Sequence, residues 1–127
     1  MSEGHGTLFD RLGGEEGLAG ITRRFYGRVL SDPELAPFFA TTSMDKQQRM
    51  QTEFLSAVLD GPVHYSGISL RDAHQKRGIE SRHFHGFLAH LVAAMESAGL
   101  DDRDLRDVIE RVETYHDEVV GGTMAAG

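Results

Sequence analysis

The sequence predicts an all-α fold, on three observations. Apolar residues recur at helical spacing along most of the chain, as in Leu18, Ile21, Phe25 and Val29. No convincing period-two stretch, internal repeat or linker interrupts them. Glycines, prolines and capping side chains stand where such helices should start and stop.

In chain order, Gly13-Gly14 precedes a first long helix on which Thr22 and Tyr26 lie beside the apolar line. Asp32-Pro33 follows it, and because the residue before a proline disfavours helix, the end is expected near Leu30. Residues 33–42 read as short and irregular, ending in the pair Phe38-Phe39. Ser43 is the expected N-cap of a helix from Met44 to about Leu59, stopped by Asp60-Gly61-Pro62. A loop over 63–69 leads to a short helix from about Ser69 to Arg77, closed by Gly78. Ser81 is expected to cap a helix carrying Phe84, Leu88, Leu91 and Met95 on one face, with Gly99 at its end. Asp101 or Asp102 opens the last helix, whose stripe holds Leu105, Val108, Ile109, Val112 and Val119.

The 127 residues carry 20 acidic and 13 basic side chains, a formal charge of −7, with 39% apolar residues and neither Cys nor Trp. That length predicts one domain over 1–127, with 1–6 and 121–127 as flexible tails. The apolar share supports a buried core. Without Cys there are no disulfides, thiolate nucleophiles, iron–sulfur clusters or thioether-linked haem. The negative charge argues against nucleic acid as a partner. No apolar run reaches membrane-spanning length and no secretory segment opens the chain, so a cytoplasmic location is expected. Seven His and seven Phe remain to be explained.

The helix from Met44 is the informative one. Phe54, Leu55 and Val58 mark its inward face, and stepping back along that face reaches Gln51 and Gln47. An unpaired buried amide costs roughly 1–3 kcal/mol. Either both amides have buried partners, or the stripe surfaces at its amino end and leaves them wet; helix geometry alone leaves both open. Tyr26 poses the same question, since a buried phenol needs a partner. Among the histidines, His83 and His85 point to different faces, and His83 and His90 are two turns apart. No H-x-x-x-H or Glu-x-x-His pair occurs, so local metal chelation is unsupported. His5, His64 and His116 read as loop or surface residues. By spacing alone His74, on the short helix after Leu70 and Ala73, is no better a ligand than the rest.

From Leu8 to about Val120 the chain resembles a truncated haemoglobin, most nearly group I, the N type. The matching stretches are Leu8-Phe-Asp-Arg-Leu-Gly-Gly14, Arg24-Phe-Tyr-Gly-Arg-Val-Leu30, Pro37-Phe-Phe39 and Gln51-Thr-Glu-Phe-Leu55. Gly61-Pro62, Tyr65-Ser-Gly67, Ala73-His-Gln-Lys-Arg-Gly-Ile79 and His83-Phe84 complete the set. Each is weak alone; their order and nearly gap-free spacing are specific. The resemblance implies a two-over-two helical sandwich around non-covalent haem b (iron protoporphyrin IX), with a reduced first helix and an extended segment before the iron ligand.

Residue by residue, the resemblance gives His74 the place of the proximal iron ligand, for which a neutral imidazole is suited. Tyr26, Gln47 and Gln51 take the distal places, where O–H and N–H donors meet a gas carrying partial negative charge. A hydrogen bond to a charged group is worth roughly 1.5–3 kcal/mol, so oxygen loss slows by about one to two orders of magnitude. The three groups are also expected to satisfy one another without a ligand. Phe39 matches the phenylalanine packed on the haem plane, with Phe38 its neighbour. Phe25, Phe54, Leu55, Phe84, Phe87 and Leu88 are pocket walls. Lys46, Arg49, Lys76 and Arg77 are candidates for the propionates, with Met50 standing where relatives often carry a basic residue. The missing Trp favours group I, and Phe87 lies near the place where other groups carry one. His116 is one residue off the position that some cyanobacterial relatives link to haem, so no link is expected. The basic amino-terminal extension of some mycobacterial relatives is absent.

The implied function is reversible binding of dioxygen, nitric oxide and carbon monoxide. Oxidation of nitric oxide to nitrate with an external reductase is a further implied activity. A gas sensor or haem carrier acting through a partner is the alternative. A haem-free helical interaction module is a third reading, disfavoured by the joint presence of His74, Tyr26, Gln47 and Gln51.

Overall fold

The computed structural model describes residues 7–61, 79–116 and 120. Among them are five α-helices and one 3-10 turn, and no strand. The short α1 (Leu8–Arg11) starts in a capping box, in which the Thr7 side chain accepts from the Asp10 amide and Asp10 answers the Thr7 amide. Gly13 and Gly14, at φ 95° and 69°, then turn the chain into α2 (Gly14–Leu30). Both glycines hold a backbone that side-chain-bearing residues resist. α2 stops at Leu30, just ahead of Asp32-Pro33, as the sequence predicts.

The stretch over 33–42 is not wholly irregular. Ala36–Phe39 closes a 3-10 turn, with Pro37 near its start fixing φ. Ser43 caps α3 (Met44–Val58), accepting from the Lys46 amide. Asp60, at φ 69°, turns the chain away at its end. Arg111 closes that end as well: its Nη1 donates at 2.8 Å to the Val58 carbonyl and at 2.8 Å to Asp60, while its Nε reaches Asp107 at 2.9 Å.

α4 spans Ser81–Ser97, but its cap is Glu80 rather than Ser81. The Glu80 amide donates to His83 Nδ1 at 3.0 Å and the Glu80 side chain accepts in return, so an imidazole takes the usual glutamate place in the box. At the other end Gly99 (φ 97°) and Leu100 return hydrogen bonds to the Glu96 and Met95 carbonyls, a Schellman ending. α5 (Asp102–Glu113) is capped by the Asp101 carboxylate. The expected short helix over 69–77, the tails and Val119 lie outside the described residues.

Helix α2 packs between α3 and α4, and α5 packs on α4. The apolar stripes meet in one core, where Leu18, Val29, Leu55, Leu59, Met95 and Val108 are fully buried. Each such aliphatic side chain contributes about 1.5–3 kcal/mol relative to exposure. α1 is tied to this core at two points. The Phe9 amide donates to the Leu59 carbonyl at 3.1 Å. Gly17 leaves no room for a Cβ, which would run into the Leu12 carbonyl. The core thus leaves the adjoining faces of α2 and α3 in contact, and the polar residues on that contact define the site.

Candidate functional site

Tyr26 on α2 and Gln47 on α3 are buried, at 2% and 6% exposure, and Gln51 is half-buried one turn further along α3. Gln47 Nε2 donates to the Tyr26 hydroxyl at 3.2 Å. The same hydroxyl donates to Gln51 Oε1 at 3.5 Å. Of the two readings open for the amides, burial with partners is the one found for Gln47. The second hydrogen bond is long, and among the described residues neither amide has another side-chain partner. The trio therefore keeps amide N–H donors unspent in largely dry surroundings, where such donors are strongest.

Those surroundings are aromatic. The Phe25 and Phe39 rings stand edge-on to Tyr26, with centroids 4.7 and 5.5 Å away. Phe87 lies 6.4, 6.2 and 6.0 Å from Phe25, Phe38 and Phe39. Four of the eight expected wall residues, Phe25, Phe38, Phe39 and Phe87, thus form one aromatic group that meets the phenol through Phe25 and Phe39. Leu55 and Leu88 are buried in the same core. Phe54 and Phe84 are buried too, and among the described residues their rings meet Tyr115 at 5.1 Å and His116 at 5.0 Å.

Two of the four expected basic residues are described. Lys46 and Arg49 are exposed. Arg49 lies two residues from both Gln47 and Gln51, about 200° round the helix, and lines a cleft with Glu15, Arg23 and Glu53 instead. His74, Lys76 and Arg77 lie outside the described residues. Among those described, no three His, Asp or Glu side chains cluster as a metal site, and no helix is long and apolar enough to cross a membrane.

Several polar residues escaped the sequence reading. His83 is buried, capping α4 and meeting the Phe38 ring at 4.8 Å. His116, expected at the surface, is half-buried and shares a 2.7 Å hydrogen bond with Ser81. His90 Nε2 lies 2.9 Å from Asp32 Oδ2, and its Nδ1 accepts from Arg28 Nε at 3.3 Å. The His90 bond holds the Asp32 carboxyl below its ordinary pKa, helped by the Glu34 amide. The Asp60 and Asp107 carboxylates push Arg111 further up. The His90–Asp32, His116–Ser81 and Arg111–Asp60 pairs join residues tens of positions apart, and for the two histidines the only signal in the sequence was the histidine excess itself.

The family described as bacterial-like globin matches residues 7–120. A group 1 truncated haemoglobin of Mycolicibacterium paratuberculosis is 34% identical over 116 residues, covering 91% of this chain and 85% of that protein. One from Tetrahymena pyriformis is 31% identical over 115 residues, covering 91% and 95%. The crystal structure of the Tetrahymena pyriformis truncated haemoglobin in its Fe(III) form matches with a TM-score of 0.85 at 30% identity, covering 91% of this chain and 98% of that one. Variants of it with a tyrosine changed to phenylalanine or a glutamine to glutamate match equally well. The 2/2 haemoglobin of Synechococcus sp., solved in the cyanomet state with covalently attached haem, gives 0.85 at 27% identity, covering 91% and 99%.

Proposed function

The chain belongs to the bacterial-like globin family, as a group 1 truncated haemoglobin, and from that premise we propose that it binds dioxygen and other diatomic gases reversibly at a non-covalent haem b. Family membership carries haem binding and gas ligands in general. The observation that supports the particular reading is the Tyr26–Gln47–Gln51 cluster inside its aromatic wall.

These residues suit a haem in two respects. Flat aromatic side chains (Phe25, Phe39, Phe87) provide an apolar wall for a macrocycle. Two amides with unspent donors, beside a buried phenol, provide polarity on one side of it. Bound haem would supply an iron that takes up a diatomic gas, and His74 is proposed to hold that iron. The Tyr26 hydroxyl, which donates to Gln51 Oε1 and accepts from Gln47 Nε2, would be the O–H donor to a bound gas, and the Gln51 amide a second N–H donor. Phe25, Phe38, Phe39 and Phe87, with Phe54, Leu55, Phe84 and Leu88 as further proposed walls, exclude water, so these donors act in a low-dielectric setting. Lys46, Arg49, Lys76 and Arg77 are the proposed propionate partners.

The same pocket would serve nitric oxide oxidation, in which nitric oxide, dioxygen and one electron give nitrate. The electron comes from an external reductase. Haem titration tests the reading. A Soret band saturating at one haem per chain is expected, and its absence would sink the proposal. His74→Ala should abolish the five-coordinate ferrous spectrum; an unchanged spectrum would remove His74 from the assignment.

A further inference from the structure

On the far side of α2 from Tyr26 lies a second polar cluster. Arg24 and Arg28 each stand two residues from Tyr26, about 200° round the helix. With Ser31, Asp32, His90 and Ser97 they line a cleft of ≈ 610 Å³ between α2 and α4. Arg24, Arg28, Asp32 and His90 are the titratable and charged groups that face it.

The hydrogen bonds fix the state of the His90 ring. A guanidinium can only donate, so the 3.3 Å contact from Arg28 Nε makes Nδ1 an acceptor. The proton of the neutral ring is then on Nε2, donated to Asp32 Oδ2 at 2.9 Å. In imidazolium both nitrogens are donors. A second proton on His90 therefore cannot coexist with the Arg28 contact: two donors and two positive charges would face each other. The Asp32 contact survives and becomes an ion pair. Arg28, exposed at the surface, must leave.

We propose that the α2–α4 cleft is a proton-gated binding site for small inorganic oxyanions, opened when protonation of His90 releases Arg28 into it beside Arg24. In the closed state Arg28 is spent on His90 and Asp32 supplies a negative charge. The carboxyl ends of α2 and α4 add negative potential of their own. In the open state two guanidiniums one turn apart converge on the cleft and His90 neutralises Asp32. Guanidiniums suit oxyanions because their planar fork donates two parallel hydrogen bonds.

Sulfate is the probe, because its charge does not change across the histidine range. Calorimetric titration of sulfate into the full chain should show binding about tenfold tighter at about pH 5.5 than at about pH 8, the gain expected for freeing one nearby charge at a partly wet site. His90→Gln, which can bridge Asp32 and Arg28 but takes no proton, should bind weakly at both pH values. Arg28→Gln should lose the acid gain. Ring nitrogen spectra at about pH 8 should show His90 as the Nε2–H tautomer. Equal sulfate affinity at both pH values would overturn the proposal. So would an acid gain that persists in His90→Gln or Arg28→Gln, or an Nδ1–H tautomer at high pH.

Discussion

Arg111 of α5 donates a hydrogen bond at 2.8 Å to the main-chain carbonyl of Val58, the last residue of α3. The carbonyls of a helix's last turn have no partner within the helix. A side chain 53 residues away supplies one here.

Arg111→Ala should destabilise the protein by about 1–2 kcal/mol, since it strips a helix-end carbonyl and two carboxylates of one shared donor at a partly exposed site. Arg111→Lys should recover less than half, because a single ammonium cannot reproduce the fork. Chemical denaturation of the three proteins measures both losses. Equal stability of Arg111→Ala and wild type would show the carbonyl to be adequately hydrated without it.

For the distal cluster, Tyr26→Phe removes the hydroxyl that both glutamines address. Dioxygen release from the ferrous protein, followed by stopped flow, should speed up about tenfold or more. An unchanged rate would take Tyr26 out of ligand stabilisation. Leaving the Gln47 amide buried without its acceptor should also cost about 1–3 kcal/mol of folding stability.

Ser56 makes the opposite case. It is 1% exposed and its hydroxyl has no hydrogen-bond partner among the described residues. Ser56→Ala should therefore be neutral or stabilise by up to about 1 kcal/mol, an uncommon outcome for a buried position. A loss above that size, in thermal or chemical unfolding, would reveal a partner for the hydroxyl in solution.

The Asp32–His90 contact carries a pH signature. Asp32 has its pKa lowered from 3.8 in the folded protein. A group depressed on folding stabilises the native state above its unfolded pKa, and that contribution disappears as pH falls through the folded value. The stability difference between wild type and Asp32→Asn should thus shrink as pH falls below 3.8. A difference that instead grew as pH fell below 3.8 would refute this order of pKa values.

What could be read from the chain follows the range of the interaction that decides it. The boundaries of α2 and α3 were legible because Gly13-Gly14, Asp32-Pro33 and Ser43 act on their own backbone. The cap of α4 was misplaced by one residue: Ser81 has the better capping chemistry, but His83 supplies the reciprocal bond that selects Glu80. The pairing of Tyr26 with Gln47 was expected from a resemblance, because helical spacing leaves those amides equally at home in water. The His90–Asp32 and Arg111–Asp60 pairs were not legible at all. Nothing at positions 32 or 60 marks a partner more than fifty residues away.

Gly17 has a reach beyond its own helix. Because a Cβ there would collide with the Leu12 carbonyl, any other residue at position 17 must prise open the elbow between α1 and α2. That elbow is not isolated. Phe9, on its outer arm, holds the Leu59 carbonyl through its amide, and its ring abuts Gly61 so closely that a Cβ there would lie 2.7 Å from Phe9 Cδ1. The amino-terminal arm and the exit of α3 therefore behave as one lever, pivoting on a glycine. Where the chain leaves α3 at Gly61 thus depends mechanically on a residue more than forty positions before it.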